Sequence, residues 1–130
     1  MPSKSTLCAG LTAVAMLLCA LTPANAGWIN GTVAQLQALD KITARISTLS
    51  APIGKPIRFG TLEIVIQRCA FRPPEEPPEN VAFLEITDHG HYGSAPRRQV
   101  FSGWMFSSSP AVSAVEHPVY DVTLLNCIID

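Results

Sequence analysis

The chain has 130 residues, room for one domain of ordinary size and not for two. Charged residues make up 15% and hydrophobic residues 48%, which excludes an intrinsically disordered chain. Nine Lys and Arg against ten Asp and Glu leave a formal net charge of −1, with no basic stripe or arginine-rich run, so a nucleic-acid partner is not expected.

The first segment has the three parts of a secretory signal. Lys4 carries the positive charge, Leu11 to Leu21 is a charge-free apolar core, and Pro23 is followed by the small-x-small pattern Ala24-Asn25-Ala26. Cleavage is expected after Ala26. The apolar run is shorter than the roughly 20 residues of a membrane anchor, and Leu18 before Cys19 is too large for a lipoprotein site. The mature chain is therefore expected in the periplasm, with no transmembrane anchor after cleavage. Cys8 and Cys19 leave with the signal, so Cys69 and Cys127 remain. Two thiols in an oxidising compartment, without a C-x-x-C spacing or nearby ligands, read as one structural disulfide. Loop closure of that size is worth on the order of 4 kcal/mol.

Residues 27–38 read as an N-terminal arm, open between a strand and a loose segment, and 39–130 as a single β domain. Ile42 to Leu49 alternates Ile42, Ala44 and Ile46 with polar residues and is predicted as a strand. Ala51-Pro52-Ile53-Gly54 is a turn, and Lys55 to Phe59 is extended again. Thr61 to Cys69 is the strongest strand, with Leu62, Ile64 and Ile66 on one face and Glu63, Val65 and Gln67 on the other. In Arg72 to Glu79, four prolines exclude regular structure and favour a polyproline-II path. Asn80 to Thr87 is the next strand, and Asp88 to Pro96 a loop. Gln99 to Phe106, apolar on both parities, is predicted as a central, covered strand. Ser109-Pro110 has the form of a helix start, predicting a short helix through about Glu116 that Pro118 stops. Val119 to Ile129 is the last strand. The expected fold is all-β: a small β-sandwich or partly open barrel of about six to eight strands, with one short helix and one disulfide.

These motifs taken together, "GKPIRFGTLEIVIQRC" from Gly54, "RPPEEPPE" from Arg72, "AFLEI" from Ala82 and "VFSGWMFSSSPAVSAVEHPVYDVTLLNC" from Val100, resemble one family of exported proteins from Gram-negative bacteria, catalogued as a domain of unknown function (family 2155). The resemblance runs from about Leu39 to Cys127. It implies a cysteine at both Cys69 and Cys127, in keeping with the disulfide, and implies no activity, cofactor or ligand.

Candidate chemistry is sparse. Ser107, Ser108, Ser109 and Ser113 lie near His117 and Asp121 in sequence, but no G-x-S-x-G elbow is present. His89 and His91, beside Asp88, could share a cation if extended, although two solvated histidines in a glycine-flanked loop is the plainer reading. Glu75 and Glu76 read as a solvated charge run. No cofactor is expected, and no enzyme. The expected function is a non-catalytic module that binds a protein partner in the cell envelope, through Trp104, Glu116, His117 and Asp121 or through Pro73 and Pro74 of the stiff loop. The alternative is a small-ligand carrier with a pocket between sheet and helix, lined by Trp104 and Tyr120.

Overall fold

The computed structural model describes residues 27–90 and 96–130. The expected signal peptide (1–26, with Cys8 and Cys19) and His91 lie outside the described residues. The chain forms β1 (Ile29–Asn30), β2 (Val33–Asp40), β3 (Arg45–Pro52), β4 (Ile57–Phe59), β5 (Leu62–Phe71), β6 (Asn80–Asp88), β7 (Arg98–Phe106), a 3₁₀ turn (Pro110–Ser113) and β8 (Tyr120–Ile128).

The strands make two antiparallel sheets. One runs β1-β5-β6-β7, with β4 also on β5; the other runs β3-β2-β8. Their inner faces meet in one core. Leu62, Ile64 and Ile66 of β5 and Leu84 and Ile86 of β6 face Leu36 of β2 and Val122 and Leu124 of β8. Burial of such branched side chains, each worth about 1.5–3 kcal/mol, is the main force holding the sheets together. The architecture is the small β-sandwich expected from the alternating pattern.

Residues 27–38 are part of this frame and not an arm. They contain β1 and most of β2, the middle strand of the smaller sheet. Its apolar side is mostly Ala34, Leu36 and Ala38, all fully buried. Alanine buries little area per residue, so the periodic signal is weak although the position is central.

Ile42 and Ala44 do not belong to a strand. Asp40 Oδ1 accepts from the amides of Ile42 and Thr43 at 2.9 and 3.2 Å, folding the chain into a turn. Ile42 is left 76% exposed, and β3 starts only at Arg45. A local side-chain acceptor has outcompeted the extended ladder. The turn expected at Ala51 to Gly54 is shorter: Ala51 and Pro52 end β3 opposite Ala34 and Val33, while Gly54 adopts φ 77° and its amide donates to the Ile66 carbonyl at 2.8 Å.

β7 is not a central strand; it lies at the end of its sheet. Its apolar residues on both parities have another cause, an irregularity opposite Ile86 and Thr87. Phe101 pairs with Ile86 and Gln99 with Thr87, so Val100 is extra. Beyond it Met105 turns into the core while Trp104 faces outward.

The expected helix shortens to a single 3₁₀ turn. Ser109 makes no side-chain cap, and Ala114 is already extended. The reason lies downstream. Val115 and His117 are both buried, and a spacing of two puts both on one side only in extended chain.

Cys69 and Cys127 are bonded, 58 residues apart in sequence and 5.8 Å between Cα atoms, and tie β5 to β8 across the two sheets. Simple alternation would point both cysteines outward, since they are out of phase with Ile66 and Leu124. Each strand carries a bulge that corrects the phase. In β5 the pairing slips between Ile66 and Arg68, leaving Gln67 extra. In β8, Leu36 pairs with Leu124 and Gln35 with Asn126, leaving Leu125 extra. One added residue reverses the facing of everything after it. Both cysteines thereby reach the interior.

Candidate functional site

The residues proposed from sequence do not share one surface. His117 is 7% exposed and works inside the fold. Its Nδ1 accepts from the amides of Val119 and Tyr120 at 3.0 and 3.1 Å, and its Nε2 lies 2.8 Å from Asp88 Oδ2. Those contacts define the tautomer: Nδ1 is the acceptor, so Nε2 donates to Asp88. The ring stacks on Tyr120, with centroids 5.2 Å apart. Lys41 Nζ donates to the His117 carbonyl at 2.8 Å, binding the turn after β2 to the same segment. Burial opposes the ionisation of Asp88, but the His117 ring, the Gly90 amide and the Thr61 hydroxyl outweigh it and hold the carboxyl at about 2. With both nitrogens committed, His117 has no lone pair to offer a serine nucleophile or a metal ion. It is therefore removed from the docking set as a structural node.

Asp121 lies in β8, opposite Leu39 of β2 in the smaller sheet. Glu116 is exposed in the chain after the 3₁₀ turn. Trp104 stands in β7 of the other sheet, away from the strand that carries Asp121. His89 is held by Glu63, with Nε2 3.0 Å from Oε2, and Arg58 reaches the same carboxylate at 3.6 Å. Among the described residues there is no group of three side chains able to hold a metal ion.

The proline-rich loop is tied down at both ends. The Arg72 amide donates to the Glu79 carbonyl at 3.0 Å, and the Arg72 guanidinium pairs with Glu76 at 3.2 Å. The Glu79 carboxylate accepts from the hydroxyls of Ser107 and Ser108 and from the amides of Asn80 and Ser108. Burial opposes its charge, and these donors together keep its carboxyl below the usual carboxylate range. Two of the serines considered for catalysis thus anchor a loop. Pro73 and Pro74 sit on that loop, Pro74 exposed.

A shallow cleft of about 170 Å³ on the outer face of the larger sheet brings together residues that no sequence motif connects. Trp28 and Trp104, the chain's two tryptophans, both line it, together with Asn30, Arg68, Cys69, Ala70 and Val81. The pairings explain the assembly. β1 lies on β5 with Asn30 opposite Ala70, and β5 lies on β6 with Ala70 opposite Val81. Next to Val81 in β6, Phe83 pairs with Trp104 of β7. Trp28 and Trp104 remain 38% and 43% exposed, unusual for the largest apolar side chains. Each indole is held in place. The Arg72 guanidinium lies 4.0 Å over the Trp28 ring, and Phe83 meets Trp104 edge-on at 5.4 Å. Arg68 is exposed at the cleft, and the ion pairs among the described residues do not include it. Trp28 and Arg68 were outside the sequence-derived set, and Arg72 entered it only as the first residue of the stiff loop. Trp28 stands alone beside the expected cleavage site, and only the fold brings it near Trp104.

Tyr120 takes no part in this cleft. It is buried, with Phe59 edge-on at 5.5 Å and His117 stacked on it. Trp104 and Tyr120, expected to line one carrier pocket, stand in different sheets, in β7 and β8.

Residues 34–127 match the profile of a family described as an uncharacterized protein conserved in bacteria (DUF2155), and the chain belongs to that family. It is 30% identical over 103 residues to Uncharacterized protein RP359 of Rickettsia prowazekii (strain Madrid E). That match covers 79% of this chain and 65% of the relative, so the chain spans slightly less than two thirds of the relative's length. No solved structure matches it. No helix among the described residues is long and apolar enough to cross a membrane.

Proposed function

We propose that the mature domain is a non-catalytic module of the periplasm and docks an extended segment of an envelope protein at the Trp28–Trp104 cleft. The observation that carries this reading is the placement of both tryptophans, each half-exposed and each braced by a neighbour, on either side of an apolar floor. Aromatic side chains held in advance lose little entropy on binding, and Trp and Arg dominate the energetics of protein interfaces. Export is supported by the signal-like segment ending at Ala26, and the non-catalytic reading by the commitment of both His117 nitrogens to the fold.

Site-specific photo-crosslinking in intact cells tests this. A crosslinker replacing Asn30, at the cleft, is expected to give one discrete protein adduct that Trp104→Ala abolishes. The same group at Thr48, on the smaller sheet, is expected to give none. Absence of an Asn30-specific adduct in correctly exported protein would refute the reading.

A further inference from the structure

Resting on that reading, we propose a chemistry for the occupant: an extended, proline-containing acidic segment, whose proline rings sit between the two indoles and whose carboxylate pairs with Arg68. Three features of the cleft lead there. First, its walls are flat and aromatic and its floor is the short side chains of Ala70 and Val81. Such a slot takes a flat, compact ring, and polyproline-II segments are recognised on aromatic-lined grooves of this kind because their backbone is already ordered. Second, Arg68 is a cation at the cleft without a carboxylate among the described ion pairs, whereas Arg72 is already engaged by Glu76 and Trp28. A guanidinium placed beside an apolar surface favours a carboxylate, which it can hold through two parallel hydrogen bonds. Third, Asn30 is exposed at the same cleft and can donate to the free carbonyls that a polyproline path leaves outward. A basic segment would meet Arg68 as a like charge, and a purely apolar one would leave it unused.

The chain's own residues 73–79 have this composition but close back through Arg72 and Glu79 and do not line the cleft. They supply a ready probe. An acetylated, amidated heptapeptide with the sequence of residues 73–79 is titrated into the mature, oxidised protein. Both tryptophans line the cleft, so their emission reports occupancy directly. The expected result is a saturable change, weakened about tenfold or more by Arg68→Glu and by the peptide with lysine for glutamate. The exposed Arg68 can be changed without touching the core, and far-UV circular dichroism of the variant verifies the fold. No saturable binding, or equal binding of the acidic and lysine peptides, overturns the proposal. So does equal binding of a peptide with alanine for proline. An Asn30 adduct in cells without peptide binding overturns this chemistry alone, while loss of both overturns the docking reading as well. Self-association of the protein that Glu75→Lys abolishes would assign the cleft to a second copy and also overturn the proposal.

Discussion

Replacing His117 with alanine is expected to unfold much of what the two-sheet frame holds in place. Three hydrogen bonds go at once: the 2.8 Å contact to Asp88 and the acceptor for the amides of Val119 and Tyr120. Asp88 is partly solvated and can recruit water, so its loss is modest. The two amides are the costly part, because Tyr120 is buried and an orphaned buried donor costs about 1–3 kcal/mol. The void beside the Tyr120 ring adds a cavity term. Together these give about 3–5 kcal/mol, a large part of the 5–15 kcal/mol typical of a small domain. At about 4–8 °C per kcal/mol, the thermal midpoint should fall by about 12–40 °C. The assay is urea unfolding followed by tryptophan emission, with the disulfide intact in both proteins so that the unfolded states are equally constrained. Trp104→Ala, at an exposed position, should cost only about 1 kcal/mol, chiefly its edge contact with Phe83. A loss below about 1 kcal/mol for His117→Ala would refute the structural role assigned to the ring.

The Asp88 carboxyl is depressed from 3.8 to about 2, so its contribution is complete above pH 3.8 and drains as pH falls through about 2. Wild-type protein should lose about 1–2 kcal/mol over that window, allowing for partial exposure, and Asp88→Asn should not; acid-dependent urea melts measure the difference. Removing the disulfide with Cys69→Ala and Cys127→Ala should cost about 4 kcal/mol, and thiol titration of the wild type should find neither cysteine free. Gly60 has φ 57° and a Cβ there would collide with the Tyr120 ring, whereas Gly54 at φ 77° has open space. Gly60→Ala should therefore destabilise by more than about 2 kcal/mol and Gly54→Ala by about 1, measured by the same melts. Deleting Leu125, the extra residue of the β8 bulge, should leave Cys127 facing inward and the disulfide formed, as non-reducing mass analysis would show. Two free thiols in that deletion would contradict the phase argument.

Much of the larger sheet was legible from alternation alone. Leu62, Ile64 and Ile66 and then Ala82, Leu84 and Ile86 share a face in the sequence, and all six are buried. What alternation could not carry was any change of phase. Gln67, Val100 and Leu125 each add one residue to a strand, and none bears a mark that distinguishes it from a regular position. Alternation alone therefore points both cysteines to the wrong side, and β7, expected as central, lies at the end of its sheet. Local chemistry overrode period at Asp40, whose carboxylate folds Ile42 and Thr43 into a turn. The binding candidates were harder still. His117 reads as a polar residue in a loop, and only long-range contacts with Asp88 and Lys41 show it to be interior. Trp28 and Trp104 are 76 positions apart in the chain. The strand order, not any spacing, makes them neighbours.

The smaller sheet also constrains the order in which the chain can pair as it folds. β2 can zip to β3 as soon as both exist, because a short turn joins them. Its other edge is taken by β8, from Val33 opposite Ile128 to Asp40 opposite Tyr120, and β8 comes after the other seven strands in chain order. Until then the edge of β2 that β8 will occupy is unsatisfied and faces solvent. Such closure of distant segments is slow, and it exposes the unfinished fold to mispairing. The finishing strand also delivers Cys127 to Cys69. A chain that carries the covalent bridge has therefore brought β8 home across the core to β5.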